Sequence, residues 1–258
     1  MHVAIPGGNM ARDRKPFRHR TRVIAVSVAA LTIGGTTLAE FPASAASLPK
    51  GHDVSSHQKN VNWSRAKAKG ARFVYVKATE STNYRNPYFG QQYNGARNAG
   101  IIRGAYHFAV PNKSSGRTQA AYFVRNGGRW SADGWTLPPA LDIEYNPYDS
   151  KHKCYGLSKA GMVNWIKSFS NEVKRLTGRR PVIYTTAHWW NTCTGSSRAF
   201  ASNHALWIAR HNSADAGSLP AGWSFWTFWQ YDNSGSLPGD QNLFNGSQAR
   251  LKRFARGS

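Results

Sequence analysis

Acidic residues are scarce in this chain. It has 12 Asp and Glu against 34 Lys and Arg over 258 residues, a formal net charge of +22. A balance this basic argues against cationic partners and favours polyanionic ones. The positive charge is not gathered into a basic helix or an RNA-binding signature, which argues against nucleic acid. Cysteine is nearly absent, with only Cys154 and Cys193 present. A single pair cannot build a disulfide-dense miniature scaffold, and neither residue has ligand-like neighbours at zinc spacing. No Pro/Ser-rich linker, internal repeat or low-complexity tract breaks the chain beyond residue 45, so a second, appended binding module is not expected. No G-x-S-x-G elbow is found, which argues against a Ser-His-Asp hydrolase.

The N-terminal segment has the pattern of an export signal. Arg12, Arg14, Lys15, Arg18, Arg20 and Arg22 precede an uncharged apolar run, Val23 to Leu38, and then Ala43-Ser44-Ala45. The apolar run is shorter than the ~20 residues of a membrane span. Cleavage after Ala45 would leave residues 46–258 as one secreted domain with no stable membrane association. Outside the cytosol, Cys154 and Cys193 are expected to close a disulfide, and two free buried thiols are the alternative. The acidic polymers of a bacterial wall are a polyanion that fits export. A merely solubilising positive surface explains the charge equally well.

Short apolar runs alternate with helical patterns. Strands are predicted at 51–55, 73–77, 101–108, 140–144, 182–184, 206–209 and 225–231. The clearest helix is predicted from Ser158 to Thr177. Met162, Ile166, Phe169, Val173 and Leu176 fall on one helical face, Ser158 can cap the start and Gly178 the end. Further helices are predicted at 86–99 and 114–124. This alternation implies parallel strands with helical crossovers. The expected fold is α/β, a single-domain (β/α) barrel that is irregular in its later half, where helices between strands are hard to find.

The few acids are not scattered. Asp53, Glu80, Asp142, Glu144 and Asp232 fall at or near predicted strand ends, and Asp240 lies in a C-terminal loop region. In a parallel barrel the carboxyl ends of the strands form the active face. Asp142-Ile143-Glu144 is the sharpest signal. Alternation puts the two acids on one side of a strand, ~6.5–7 Å apart at Cα. Repulsion between them raises one pKa, giving a proton donor beside a charged neighbour, the pairing that glycosidic cleavage uses. A surface pair of acids is the bland alternative, and the apolar run Leu137 to Leu141 argues against it. Tyr106, Tyr184, Trp207 and Trp229 also fall near strand ends and suit a sugar cleft. His52, His57 and His107 match no standard metal spacing, so neither a metal nor a cofactor is expected.

Seven segments in order resemble the family 25 glycoside hydrolases, lysozymes of the N-acetylmuramidase type. They are Asp53-Val54-Ser55-Ser56-His57-Gln58, Lys77-Ala78-Thr79-Glu80, Gly104-Ala105-Tyr106-His107-Phe108, Asp142-Ile143-Glu144, Pro181-Val182-Ile183-Tyr184-Thr185, Leu206-Trp207-Ile208-Ala209-Arg210 and Trp229-Gln230-Tyr231. The resemblance implies an irregular, flattened (β/α) TIM-like barrel. It implies cleavage of the β-1,4 bond between N-acetylmuramic acid and N-acetylglucosamine in peptidoglycan, by a protein expected to be a monomer. By the same likeness Glu144 is the general acid/base. Asp142 is its partner, either orienting the substrate acetamido group or acting electrostatically. Asp53 and Asp240 are further site carboxylates, and Tyr106, Tyr184, Trp207 and Gln230 bind substrate. Two departures stand out. Ser81 replaces a glycine common in the family, and the stretch from Gly235 to Asp240 is short, which leaves Asp232 as the alternative to Asp240.

Overall fold

A computed structural model describes residues 47–257. The expected leader, residues 1–45, lies outside them. Eight strands close into a barrel. They are β1 (Lys50–Val54), β2 (Phe73–Glu80), β4 (Ile102–Phe108), β5 (Ala140–Asp142), β6 (Val182–Thr185), β7 (Leu206–Ala209), β8 (Phe228–Asp232) and β9 (Asp240–Phe244). A short strand, β3 (Tyr84–Arg85), folds back on the edge of β2 outside the ring. The first seven barrel strands are mutually parallel, from β1 through β8. β9 runs against both β8 and β1 and closes the ring.

Helices fill the crossovers from β1 through β7: α1 (Trp63–Ala68), α2 (Phe89–Asn98), α3 (Gly116–Arg125), α4 (Lys159–Thr177) and α5 (Ala187–Thr194). The last helix, α6 (Gln248–Arg256), follows β9. Among the described residues no helix joins β7 to β8 or β8 to β9. The barrel is therefore irregular in its later half. α4 starts where the Ser158 hydroxyl accepts from the Gly161 N–H, and stops where Gly178 turns left-handed at φ 77°. Met162, Ile166, Phe169 and Val173 are buried along it, but Leu176, in the last turn, is 39% exposed.

Alternation along the strands sorts side chains into two layers. Phe73, Tyr75, Tyr184, Trp207 and Phe228 fill the barrel interior. Leu141, Ile143, Ile183 and Ile208 face outward against Phe123, Phe169, Trp189 and Trp190 of the helices. Each large apolar side chain buried this way contributes roughly 1.5–3 kcal/mol. Tyr75 and Trp207 stack at 4.8 Å, and Phe254 of α6 meets Phe228 at 5.7 Å at the N-terminal end of the strands. Gly104 keeps the β4 wall thin, because a Cβ there would collide with the Tyr75 ring. Cys154 and Cys193 form a disulfide with Cα atoms 5.4 Å apart, tying the segment after β5 to α5.

Candidate active site

The carboxyl ends of the parallel strands open onto a cavity of about 250 Å³. Asp53 is the second-last residue of β1 and Asp142 the last of β5. β9 is antiparallel, so its first residue, Asp240, arrives at this same end, opposite Asp53 in register. Gly239 makes that approach possible with φ 76°, since any Cβ would strike the Asp53 carbonyl. Asp53, Asp142, Glu144 and Asp240 all line the cavity, together with Tyr106, Tyr184, Trp207 and Gln230. Ile143, between the two acids, is buried in the outer layer.

Gln230 ties the floor together. Its Nε2 donates to Asp53 Oδ2 at 2.9 Å and to Asp240 Oδ2 at 3.1 Å. Its Oε1 accepts from the Tyr184 hydroxyl at 2.8 Å and meets His211 Nε2 at 2.7 Å. Asn242 Nδ2 donates to Asp53 Oδ2 at 2.7 Å and is itself oriented by Trp207 Nε1, 2.7 Å from Asn242 Oδ1. Asp142 is 7% exposed, and its Oδ1 has no hydrogen-bond partner among the described residues. Lys77 Nζ lies 2.6 Å from Glu80 Oε2 and over the Phe108 ring at 4.7 Å. Tyr148 donates to the other Glu80 oxygen.

This enclosure pushes every site carboxyl up. Asp53 rises to about 8, chiefly by burial and then by the charge of Asp240, against the lowering pull of its two amide donors. Asp142 rises well above the carboxylate range through burial and the charge of Glu144. Glu144 rises through burial, with Asp240 adding to the shift and Lys77 opposing it. Asp240 rises mainly by burial, moderated by His211. Four acids that resist ionisation, around a cavity open to solvent, make a site that can hold and hand over protons.

Other candidates fall elsewhere. Asp232 ends β8 but binds the Ser234 N–H at 3.0 Å as a turn cap, and does not line the cavity. Trp229 faces outward. Its ring packs with Trp226 and Tyr231, because its neighbours Phe228 and Gln230 take the inward positions. His52 and His107 also point away from the cavity. His52 Nδ1 meets the Pro238 carbonyl at 2.6 Å, and His107 sits between Thr79 and Gln119. Burial pushes both imidazoles down to about 4. His57 stands on the cavity rim. Sequence reasoning missed His211 and Asn242 and gave Lys77 no role. His211 follows the end of β7, a position that could have marked it. Asn242 carries no such signal.

The sequence and the fold are both similar to those of known proteins. The family described as "Glycosyl hydrolases family 25" matches residues 52–240. Lysozyme M1 of Streptomyces globisporus is 52% identical over 211 residues, covering 80% of this chain and 71% of that protein. An N,O-diacetylmuramidase of a Chalaropsis species is 46% identical over 211 residues, 81% of this chain and 99% of that one. A muramidase from Acremonium alcalophilum superposes with TM-score 0.79 at 53% identity, covering 81% of this chain and 99% of its own. The bacterial lysozyme from Streptomyces coelicolor gives TM-score 0.79 at 50% identity, covering 82% and 99%. The chain belongs to the glycosyl hydrolases of family 25 and is a glycoside hydrolase.

Proposed function

We propose that this hydrolase is a secreted lysozyme that cuts the β-1,4 bond between N-acetylmuramic acid and N-acetylglucosamine in peptidoglycan. Residues 1–45 act as a signal peptide, and residues 46–258 are the catalytic domain, acting as a monomer outside the cell. Among the described residues no helix is long and apolar enough to cross a membrane. The carrying observation is the convergence of Asp53, Asp142, Glu144 and Asp240 on one aromatic-walled cavity in so acid-poor a chain. The similarity to proteins known as lysozymes and muramidases supports the same substrate.

Glu144 is the general acid/base. Burial raises its pKa, so it holds a proton for the leaving oxygen to higher pH than an ordinary carboxyl does. Asp142 is its partner and lines the same cavity, where its carboxyl orients the substrate acetamido group or acts electrostatically. Asp53 and Asp240 act as supporting carboxylates. Tyr106, Tyr184, Trp207 and Gln230 contact the sugars. Glu144→Gln is expected to retain wall binding and lose roughly 10²–10⁴-fold in turnover, because an amide cannot donate that proton. Mass spectrometry of fragments released from purified wall should show new N-acetylmuramic acid reducing ends. Full activity of the variant, or N-acetylglucosamine reducing ends, would overturn the assignment.

A further inference from the structure

The opposite end of the barrel carries a second concave surface. Leu251, Phe254 and Ala255 of α6 plug the interior there. One cavity, of about 500 Å³, lies between α6, the start of β7 and the turn before β8. Another, of about 310 Å³, lies between α6, the end of α4 and the start of β6. Asn203, Ala205 and Phe254 line both, so the two form one groove.

Its charge has one sign. Arg250 and Arg253 line the first cavity, and Lys174, Arg179 and Arg180 line the second, with no acid in either. Among the described residues none of these five is ion-paired. Two of them are nonetheless held in place. Arg179 donates to the Gly257 carbonyl at 3.1 Å and lies over Trp130 and Phe254, while Arg180 donates to Ser170 and Asn171. Arg250 and Arg253 sit one turn apart on α6, both exposed. Aromatic rings interleave with the cations. Phe254 lies between the two halves, and Phe225 stands at the rim 64% exposed. An ordered row of unneutralised cations repels itself in the folded state, and a matching anion would relieve that repulsion.

We propose that this groove anchors a linear anionic polymer of the bacterial wall whose charge is a main-chain phosphodiester. Guanidinium forks suit phosphate oxygens. A phosphodiester chain carries charge along its main chain with carbon linkers between, which suits cations flanking the Phe254 ring, whereas a uronate hangs its charge from a ring edge. Cations on both sides of Phe254 call for a repeating anion and not a single ion. The choice of a wall polymer rests on the reading of the chain as a secreted muramidase; the groove's affinity for phosphodiester chains does not. Anchoring at this end leaves the catalytic cavity at the other end free and raises its effective concentration on the wall.

The test is binding of the purified protein to a soluble glycerol-phosphate polymer across a salt series. The double variant Arg250→Ser/Arg253→Ser is expected to bind about tenfold more weakly. The slope of log affinity against log salt should fall by about two. Hydrolysis of wall stripped of the polymer should be unchanged, and hydrolysis of polymer-bearing wall should drop several-fold. Phe225→Ala lies on a different segment and carries the test should the helix variant unfold. It should weaken binding without altering the salt slope. Unchanged binding by the variants overturns the proposal. So does tighter groove-dependent binding of a polyuronate, single-stranded DNA or anionic vesicles. Failure to hydrolyse stripped wall at all would sink the muramidase reading, while the polymer-binding result would still decide the groove.

Discussion

Gln230 uses all of its amide, with two contacts at Oε1 and two donations from Nε2, and so fixes the Asp53–Asp240 pair in one arrangement. Asp240 acts through space on the proposed acid, since its charge holds the Glu144 proton on more tightly. An acid of raised pKa keeps its proton to higher pH, and catalysis by the protonated form is lost as pH rises through that pKa. Asp240→Asn removes the charge. The alkaline limb of the pH–kcat profile is therefore expected to move to lower pH, and a limb that stays put or moves up would refute the coupling. In the sequence, Asp142 and Glu144 were legible because they sit two apart, Asp142 ending β5 and Glu144 just beyond it. Asp240 was legible only through the resemblance, because nothing local says that its strand reverses.

Single elements were read as well as their side-chain pattern allowed. α4 was legible from cap to cap because its caps and its apolar face agree, with Leu176 in the last turn the one face residue left exposed. β9 was not predicted as a strand, because Asp240, Gln241 and Asn242 are poor strand formers. Its polar side chains are instead satisfied by the folded chain, Gln241 by the carbonyls of Leu237 and Gly239 in the preceding turn and Asn242 across the barrel by Asp53. Trp229 was misplaced by one step of alternation, which sends a side chain to the opposite face. The turn from β2 to β3 begins at Ser81, which adopts φ 49°, a left-handed conformation that favours glycine. Ser81→Gly is expected to stabilise the protein by up to about 1 kcal/mol net of the glycine's unfolded-state entropy. In a domain this size that is a Tm rise of about 2–4 °C, and a Tm equal to or below the parent's in a thermal melt would show that the turn is unstrained.

The whole molecule carries the cost of burying its acids. Asp53 has its folded pKa raised from 3.8 to about 8. Stability from such a group is fully present below the unfolded value and is lost as pH rises through the folded one. Melts from pH 4 to pH 8 should show declining stability, with this residue contributing up to about 1.4 kcal/mol per pH unit. Asp53→Asn should flatten that decline and leave the protein more stable than its parent at pH 8; an unchanged slope would show that Asp53 ionises freely. The disulfide spans 39 residues of sequence. Its loss through Cys154→Ser/Cys193→Ser is expected to cost about 2–4 kcal/mol, by freeing the unfolded chain and loosening the segment that follows Glu144. Denaturant titration measures this, and a difference below about 0.5 kcal/mol would mean that the link constrains little.

Sequence alone determined the fold class, the parallel first half, the position of α4 and the pairing of Asp142 with Glu144. These follow from periodicity and spacing, which act over a few residues and do not depend on distant chain. Only the tertiary structure decided how the barrel closes, that Asp240 and not Asp232 reaches Asp53, and that His211 and Asn242 join the site. Those contacts join residues up to 189 positions apart. They arise because an antiparallel last strand satisfies two open edges at once, a requirement of the finished ring that no short stretch of chain records.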